Sequence, residues 1–230
     1  MKNSLVAFVV MLFSYVAYAN NIESWNMIQS SIAYDVFEVG ISEELRIGTD
    51  QHQTTKKIDE IHTTAFVEFA IVKWLSLGIQ DDYVLLRDRS DARYARDNRP
   101  GVNVTLKHSF CEFDMLNRSR IVMRDLEDEC PYVRYRNLSK IIAPSLYESR
   151  YMRSVRPFVA YEWYFDEGSK DRHIRKNDKF GQFWVDFGIK VKLYDAATVD
   201  LFYRLVEVKS AIEHDWSPGH VIGTCISFKF

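Results

Sequence analysis

The stretch "LNRSRIVMRDLED", Leu116 to Asp128, decides how this chain is read. On the two-residue period of a β-strand, Arg118, Arg120, Val122 and Arg124 share one face, and Ser119, Ile121 and Met123 share the other. An arginine turned toward hydrocarbon at the middle of a bilayer costs ~2–4 kcal/mol. Three of them would consume most of the ~5–15 kcal/mol that holds a folded domain together. If the strand belongs to a membrane barrel, its arginine face therefore looks into the lumen and its aliphatic face looks out.

The same parity test sorts the other segments. In "VFEVGISEELRIG" (Val36 to Gly48), Phe37, Val39, Ile41, Leu45 and Ile47 point outward and Glu38, Gly40, Ser42, Glu44 and Arg46 inward. In "GQFWVDFGI" the outward set is Phe183, Val185, Phe187 and Ile189, against Gln182, Trp184, Asp186 and Gly188 inside. Val199, Leu201, Tyr203 and Leu205 face out, opposite Asp200, Phe202 and Arg204. The inward face mixes Arg, Glu and Asp with Gly, Ser and Thr, as a narrow packed lumen requires. Outward Tyr135, Tyr161, Trp163 and Tyr203 are candidates for interfacial aromatic girdles. A soluble secreted barrel holding an apolar ligand is the competing reading, and it inverts every assignment: Phe183, Val185 and Phe187 inside, arginines outside.

At 230 residues the chain suits one β domain. Lys2 precedes the apolar run Leu5–Ala19, which ends on the small-x-small pattern Ala17-Tyr18-Ala19. That reads as a signal peptide over residues 1–19, too short for the ~20 residues of a helical span. Residues 20–35 are assigned to a periplasmic lead-in and 36–230 to the barrel. Period-two segments fall near 36–48, 58–72, 74–87, 101–111, 117–127, 132–143, 155–166, 179–190, 197–208 and 219–230. The expected fold is thus all-β, a transmembrane antiparallel up-and-down barrel of about ten strands, with twelve as the alternative if the lead-in contributes. An even count follows from placing both termini in the periplasm. Connections at 72–74 and 112–115 are tight, whereas 49–57, 88–100, 167–178 and 209–218 are long and charged. The connection 144–154 breaks this alternation by being long on the short side, and 128–131 by being brief on the long side.

The last segment, "HVIGTCISFKF" (His220 to Phe230), alternates Ile222, Thr224, Ile226, Phe228 and Phe230 with Val221, Gly223, Cys225, Ser227 and Lys229. Ending on an aromatic carboxyl terminus, it resembles the signal by which the barrel-assembly machinery recognises its clients, with Phe228 and Phe230 as the insertion signal. Together with "EELR" (Glu43 to Arg46), "KWLSLGIQDDY" (Lys73 to Tyr83), the arginine-rich hairpin Arg118 to Arg136 and "RPFVAYEWYF" (Arg156 to Phe165), it resembles a bacterial family of short outer-membrane barrels catalogued only as a domain of unknown function. The resemblance implies location and fold without chemistry. The implied partners are the lipid bilayer and lipopolysaccharide, with periplasmic chaperones and the assembly machinery during insertion.

Inward parity gathers Arg118, Arg120, Arg124, Arg134, Arg136 and Lys140 on adjacent strands, with Arg46 and Arg204 elsewhere in the lumen. Glu38, Glu44, Glu68, Asp82, Glu162, Asp186 and Asp200 are the candidate carboxylates across from them. The favoured reading is an ion-paired plug, since eight strands leave room only for side chains and ten leave little more. Bulky inward Phe66, Trp184 and Phe202 favour occlusion. The alternative is a small anion-selective pore with a basic wall.

An enzyme reading rests on His108 and Ser119. If the turn at 112–115 sets the register, they are opposed on the outer face, the minimum for an activated nucleophile in a lipid hydrolase, with Asn137 within two strands and no orienting acid. No cofactor or metal is indicated. His52, His62, His173, His214 and His220 are scattered, and no glycine-rich phosphate loop, Cys-x-x-Cys or helix-borne His pair occurs. Cys111, Cys130 and Cys225 are odd in number and widely spaced. The sequons at Asn103, Asn117 and Asn137 lie in predicted strands, and a net charge of −2 does not suit a nucleic-acid surface.

Overall fold

The computed structural model describes residues 23–49, 56–87, 94–127, 131–150, 152–167, 182–209 and 216–230. Eleven strands close into one barrel: β1 (Glu23–Tyr34), β2 (Phe37–Thr49), β3 (Lys56–Val72), β4 (Leu75–Arg87), β5 (Tyr94–Phe110), β6 (Phe113–Leu126), β7 (Tyr132–Ile142), β8 (Ser154–Glu167), β9 (Gln182–Tyr194), β10 (Ala197–Lys209) and β11 (Trp216–Lys229). Each strand pairs antiparallel with its sequence neighbours, and β1 closes on β11 in parallel, from Glu23 opposite Val221 to Ser31 opposite Lys229. The all-β, up-and-down barrel is as expected, with one strand more than ten.

The extra strand is β1, in the stretch assigned to a lead-in. Its polar Ser, Asn and Gln content masks a period-two pattern that places Trp25, Met27, Gln29 and Ser31 inside and Ile28 and Ile32 outside. The evenness argument fails with it. In an odd up-and-down barrel the first and last strands point the same way, so Glu23 lies at one rim and Lys229 at the other. The seam is closed by Ala33 N–H donating to the Phe230 carbonyl and Phe230 N–H to the Ser31 carbonyl, both 2.9 Å. On the outer wall Thr224 Oγ1 donates to Asn26 Oδ1 at 2.8 Å.

β5 and β6 start four or more residues earlier than the sequence suggests. β5 begins at Tyr94 instead of residue 101, inside a stretch that reads as a charged loop. Asp97 and Arg99 there are lumenal and paired, which holds them in a strand despite the polar composition. Pro100 pairs with Asp81 on the β4 side, but on the β6 side register partners skip from Asn98 to Gly101, as expected for a residue with no N–H to give. β6 begins at Phe113 because the hairpin before it is a two-residue turn. Cys111 (φ 47°) and Glu112 (φ 68°) are both left-handed there, so Phe110 faces Phe113.

The short turns at 35–36, 73–74, 111–112 and 195–196 share one rim with the longer connection 143–153 and the end of β11. The opposite rim carries the connections after β2, β4, β6, β8 and β10. Along the outer wall the short-turn rim bears a belt of exposed aromatics: Tyr34, Phe37, Phe69, Trp74, Phe110, Phe113, Tyr194, Phe228 and Phe230. From sequence Phe37 is assigned only to the outer face and Phe228 and Phe230 to the insertion signal; the belt appears when the turns bring these and the others level. Toward the long-loop rim Tyr135 stacks on Phe165 (4.6 Å between centroids) and Trp163 on the same ring (5.9 Å). Tyr161 and Tyr203, read as girdle residues, sit instead near mid-strand. Between the belts the wall is largely aliphatic, with Ile79, Val102, Ile121, Met123, Ile141 and Val159 exposed. Its polar exceptions are partly satisfied locally: Thr63 donates to Glu43 at 2.9 Å, and Asn117, Ser119, Asn137 and Ser139 bond to one another.

Three inward phenylalanines lie flat against glycines of the next strand. A Cβ on Gly223 would stand 2.1 Å from the Phe202 ring, one on Gly40 2.4 Å from Phe66, and one on Gly188 2.6 Å from Phe158. Each ring covers the backbone a glycine leaves bare and stays on the wall, so Phe66 and Phe202 do not cross the lumen as their bulk suggests. Gly223→Val forces the Phe202 ring off the wall; destabilisation by about 1–3 kcal/mol relative to the parent is expected in urea unfolding monitored by heat-modified electrophoretic mobility.

Candidate functional site

Inward parity turns every lumenal arginine named above toward the axis, and the partners follow from register. Directly opposed residues pair in Arg134–Asp166 (2.6 Å), Arg204–Asp186 (2.5 Å) and Arg46–Glu60 (2.7 Å). A diagonal pair on β7 and β8 joins Arg136 to Glu162 at 2.9 Å. Chords across the lumen are fewer than expected: Arg118 (β6) reaches Glu68 (β3) at 3.4 Å and Lys140 (β7) reaches Asp200 (β10) at 2.8 Å. Most of the network therefore runs along the wall. Lys229 pairs with Glu38, spanning β1, and Glu44 with Arg46 of its own strand at 2.5 Å. Asp82 has no cationic partner among the described residues; it accepts from the Gln80 amide at 2.8 Å. Asp97, Asp166, Glu60, Arg99 and Lys190 belong to the network but are absent from the sequence assignment, Asp97 and Arg99 because their strand reads as loop.

The network and the aromatics form a layer nearer the long-loop rim. On the β8 to β1 side, Trp25, Tyr164, Trp184, Val206 and Val221 make one buried cluster. Trp184 meets Trp25 edge-on at 4.9 Å and Tyr164 edge-on at 4.7 Å. Guanidinium groups stack on these rings: Arg46 over Trp25 at 3.8 Å, Arg204 over Trp184 at 4.3 Å and Arg136 over Tyr164 at 4.7 Å. On the facing side Asp97, fully buried, accepts from Arg99 (2.8 Å) and Arg124 (2.9 Å) through their Nε groups, beside buried Val84 and Val122. Arg46 links the halves by touching both Trp25 and Glu60, and Glu60 receives His62 at 2.7 Å.

Between this layer and the short-turn rim lies a polar cavity of about 420 Å³. Trp184, Arg46 and Arg204 line its end toward the aromatic layer, and exposed Lys107 and Lys229 line its end toward the short-turn rim. Arg118, Arg120, Arg136, Glu68, Asp82, Glu162, Asn103 and Leu138 line the middle.

The other assigned residues lie elsewhere. Ser119 faces Val104 and His108 faces Met115, because the two-residue turn shifts the hairpin from the register that opposes them. Four residues, about 13 Å along the strand, now separate the positions, so they cannot form a nucleophile and its base. Ser119 accepts instead from Asn137 Nδ2 at 2.9 Å. Among the described residues no group of three or more metal-ligating side chains occurs. Cys111 is a free thiol at the turn, Cys225 a free thiol in the lumen, and Cys130 lies outside the described residues, as do the segment 1–19 and His52, His173 and His214. The soluble alternative is overturned, since Phe187 is exposed on the outer wall while Arg99 and Arg124 are buried inside.

Asp97→Asn leaves the Arg99 and Arg124 guanidinium groups without their shared anion. A loss of about 3 kcal/mol in urea unfolding is expected, against less than about 1 kcal/mol for Arg153→Ala, which removes only the exposed rim pair with Asp195.

No family model matches the chain, and no curated protein matches it. Among solved structures it is similar to LpxR from Salmonella typhimurium, with a TM-score of 0.52 and 11% sequence identity over 88% of this chain and 87% of that one. At that identity the likeness is one of fold.

Proposed function

We propose that the protein is a bacterial outer-membrane barrel whose lumen is closed by the aromatic and arginine layer, and which therefore does not conduct. The location is supported by the two aromatic belts around an aliphatic outer wall, by the inward arginines, and by the fold likeness to LpxR, an outer-membrane barrel. The short-turn rim then faces the periplasm and the long connections face outward. Bilayer lipid contacts the aliphatic band, and lipopolysaccharide surrounds the outer belt of Tyr135, Trp163 and Phe165.

The observation that carries the closed-lumen reading is the edge-on contact of Trp184 with both Trp25 and Tyr164, capped by Arg46, Arg204 and Arg136. Aromatic rings packed edge-to-face with cations on their faces fill the part of the lumen they occupy, and each contact holds its neighbours. A charged ring that selects ions keeps its centre open; here the charges are tied to the wall by partners on neighbouring strands. Refolded protein in planar bilayers is expected to be electrically silent, while the double variant Trp25→Ala, Trp184→Ala gives discrete conductance steps. Anion-selective steps from the unaltered chain would overturn the closed lumen in favour of a small pore.

A further inference from the structure

Arg120 differs from the other lumenal arginines. It has no hydrogen-bond acceptor and no ion-pair partner among the described residues, although it lines the cavity in the middle of the barrel wall. Its register neighbours make this worse. Arg136 lies directly opposite it on β7, and Arg118 is two residues away on the same lumenal face. Of these, Arg136 is committed to Glu162 and Arg118 is held by Thr105 Oγ1 (3.2 Å) and, at 3.4 Å, by Glu68. Lys107, at the short-turn end of the same cavity, likewise has no acidic partner within ion-pair distance among the described residues.

Two further groups point to the same space. Asn103, register partner of Arg120 on β5, is 4% exposed, lines the cavity, and has a buried Oδ1 with no hydrogen bond. Trp184, 6% exposed, lines the end toward the aromatic layer, and its indole N–H has no acceptor. Buried polar atoms are ordinarily satisfied, so orphaned groups gathered around one cavity mark a place where a partner belongs. A planar guanidinium offers two parallel N–H groups to a carboxylate or phosphoryl group and the Trp184 N–H can donate to the same oxygens, while the Asn103 Oδ1, an acceptor, suits a hydroxyl of the ligand. Asp82 and Glu162 act on Arg120 through space without reaching ion-pair distance: Asp82 accepts from Gln80 at 2.8 Å, and Glu162 is taken by Arg136.

We infer that the cavity is a binding cup, entered from the short-turn rim and blind at the aromatic layer, for a small molecule bearing a carboxylate or phosphoryl group, with Arg120 as the anchoring cation. Arg118, Arg136 and Lys107 supply the surrounding positive field. Asn103 and the Trp184 N–H are the polar groups that orient the ligand. A volume of about 420 Å³ admits a metabolite-sized anion, and a polymer does not fit. The blind end rests on the closed-lumen reading, but binding is read by calorimetry and closure by conductance, so the two fail separately.

The test is titration calorimetry on the full mature chain refolded in detergent, with inorganic phosphate and, separately, citrate as probes at constant ionic strength. Saturable binding of at least one probe is expected, weakened tenfold or more in Arg120→Gln and less in Arg120→Lys, and unchanged in Arg153→Gln at the exposed rim. Because Arg120 has no partner to lose, these variants keep the heat-modified mobility of the folded barrel. The tighter probe assigns the phosphoryl or the carboxylate class. Absence of saturable heat with both probes, or equal affinity in the parent and Arg120→Gln, would overturn the proposal.

Discussion

The structure depends on keeping guanidinium groups away from hydrocarbon. A chain with arginines at alternate positions of successive strands can satisfy that in a bilayer only by closing those strands around a lumen, and the lumen must then supply counter-charges. The supply is mostly local. Arg134, Arg204 and Arg46 each take the carboxylate directly opposite on a neighbouring strand, so register and ion pairing fix each other. A one-residue slip of either strand would send its member of each pair to the outer wall and leave the other unpaired, which makes the network a register lock as much as a filling.

The two ends of the lumen are built differently. Toward the long-loop rim, rings and cations interleave until little space remains. Toward the short-turn rim the phenylalanines lie back on glycines, and the same barrel diameter leaves an open cup. Glycine opposite phenylalanine is thus a device for keeping lumen volume: the ring covers bare backbone and leaves the axis free. The aromatic layer and the cavity beside it are consequences of where large and small residues alternate on the inner face.

Much of this was legible in the sequence, and the failures have physical causes. Period-two alternation gave the faces of β2, β6, β9, β10 and β11, because their charged residues fall mostly on the inward side and their outward sides are mostly aliphatic or aromatic. It missed β1, whose outward side includes Ser24, Asn26 and Ser30, and the first half of β5, where Asp97, Arg99 and Pro100 resemble a loop until Arg124 is placed beside them. The set of lumenal carboxylates was readable from parity. Their partners were not, since pairing depends on the register of each strand pair, and between β5 and β6 that register is set by a two-residue turn whose left-handed residues are Cys and Glu, without the glycine or asparagine that signals such a turn. That same turn separates His108 from Ser119. That Arg120 lacks an acceptor could not be inferred from composition, because an unpaired cation is visible only when the partners of the cations around it have been placed.

The most direct test of the inward-arginine account is a nitroxide scan of residues 117–124 in lipid bilayers, on a background with the native cysteines replaced. Collision with dissolved oxygen is predicted to peak at 119, 121 and 123 and to fall at 118, 120, 122 and 124. The opposite phase, with oxygen contact highest at 118, 120 and 122, would contradict it and turn the barrel inside out.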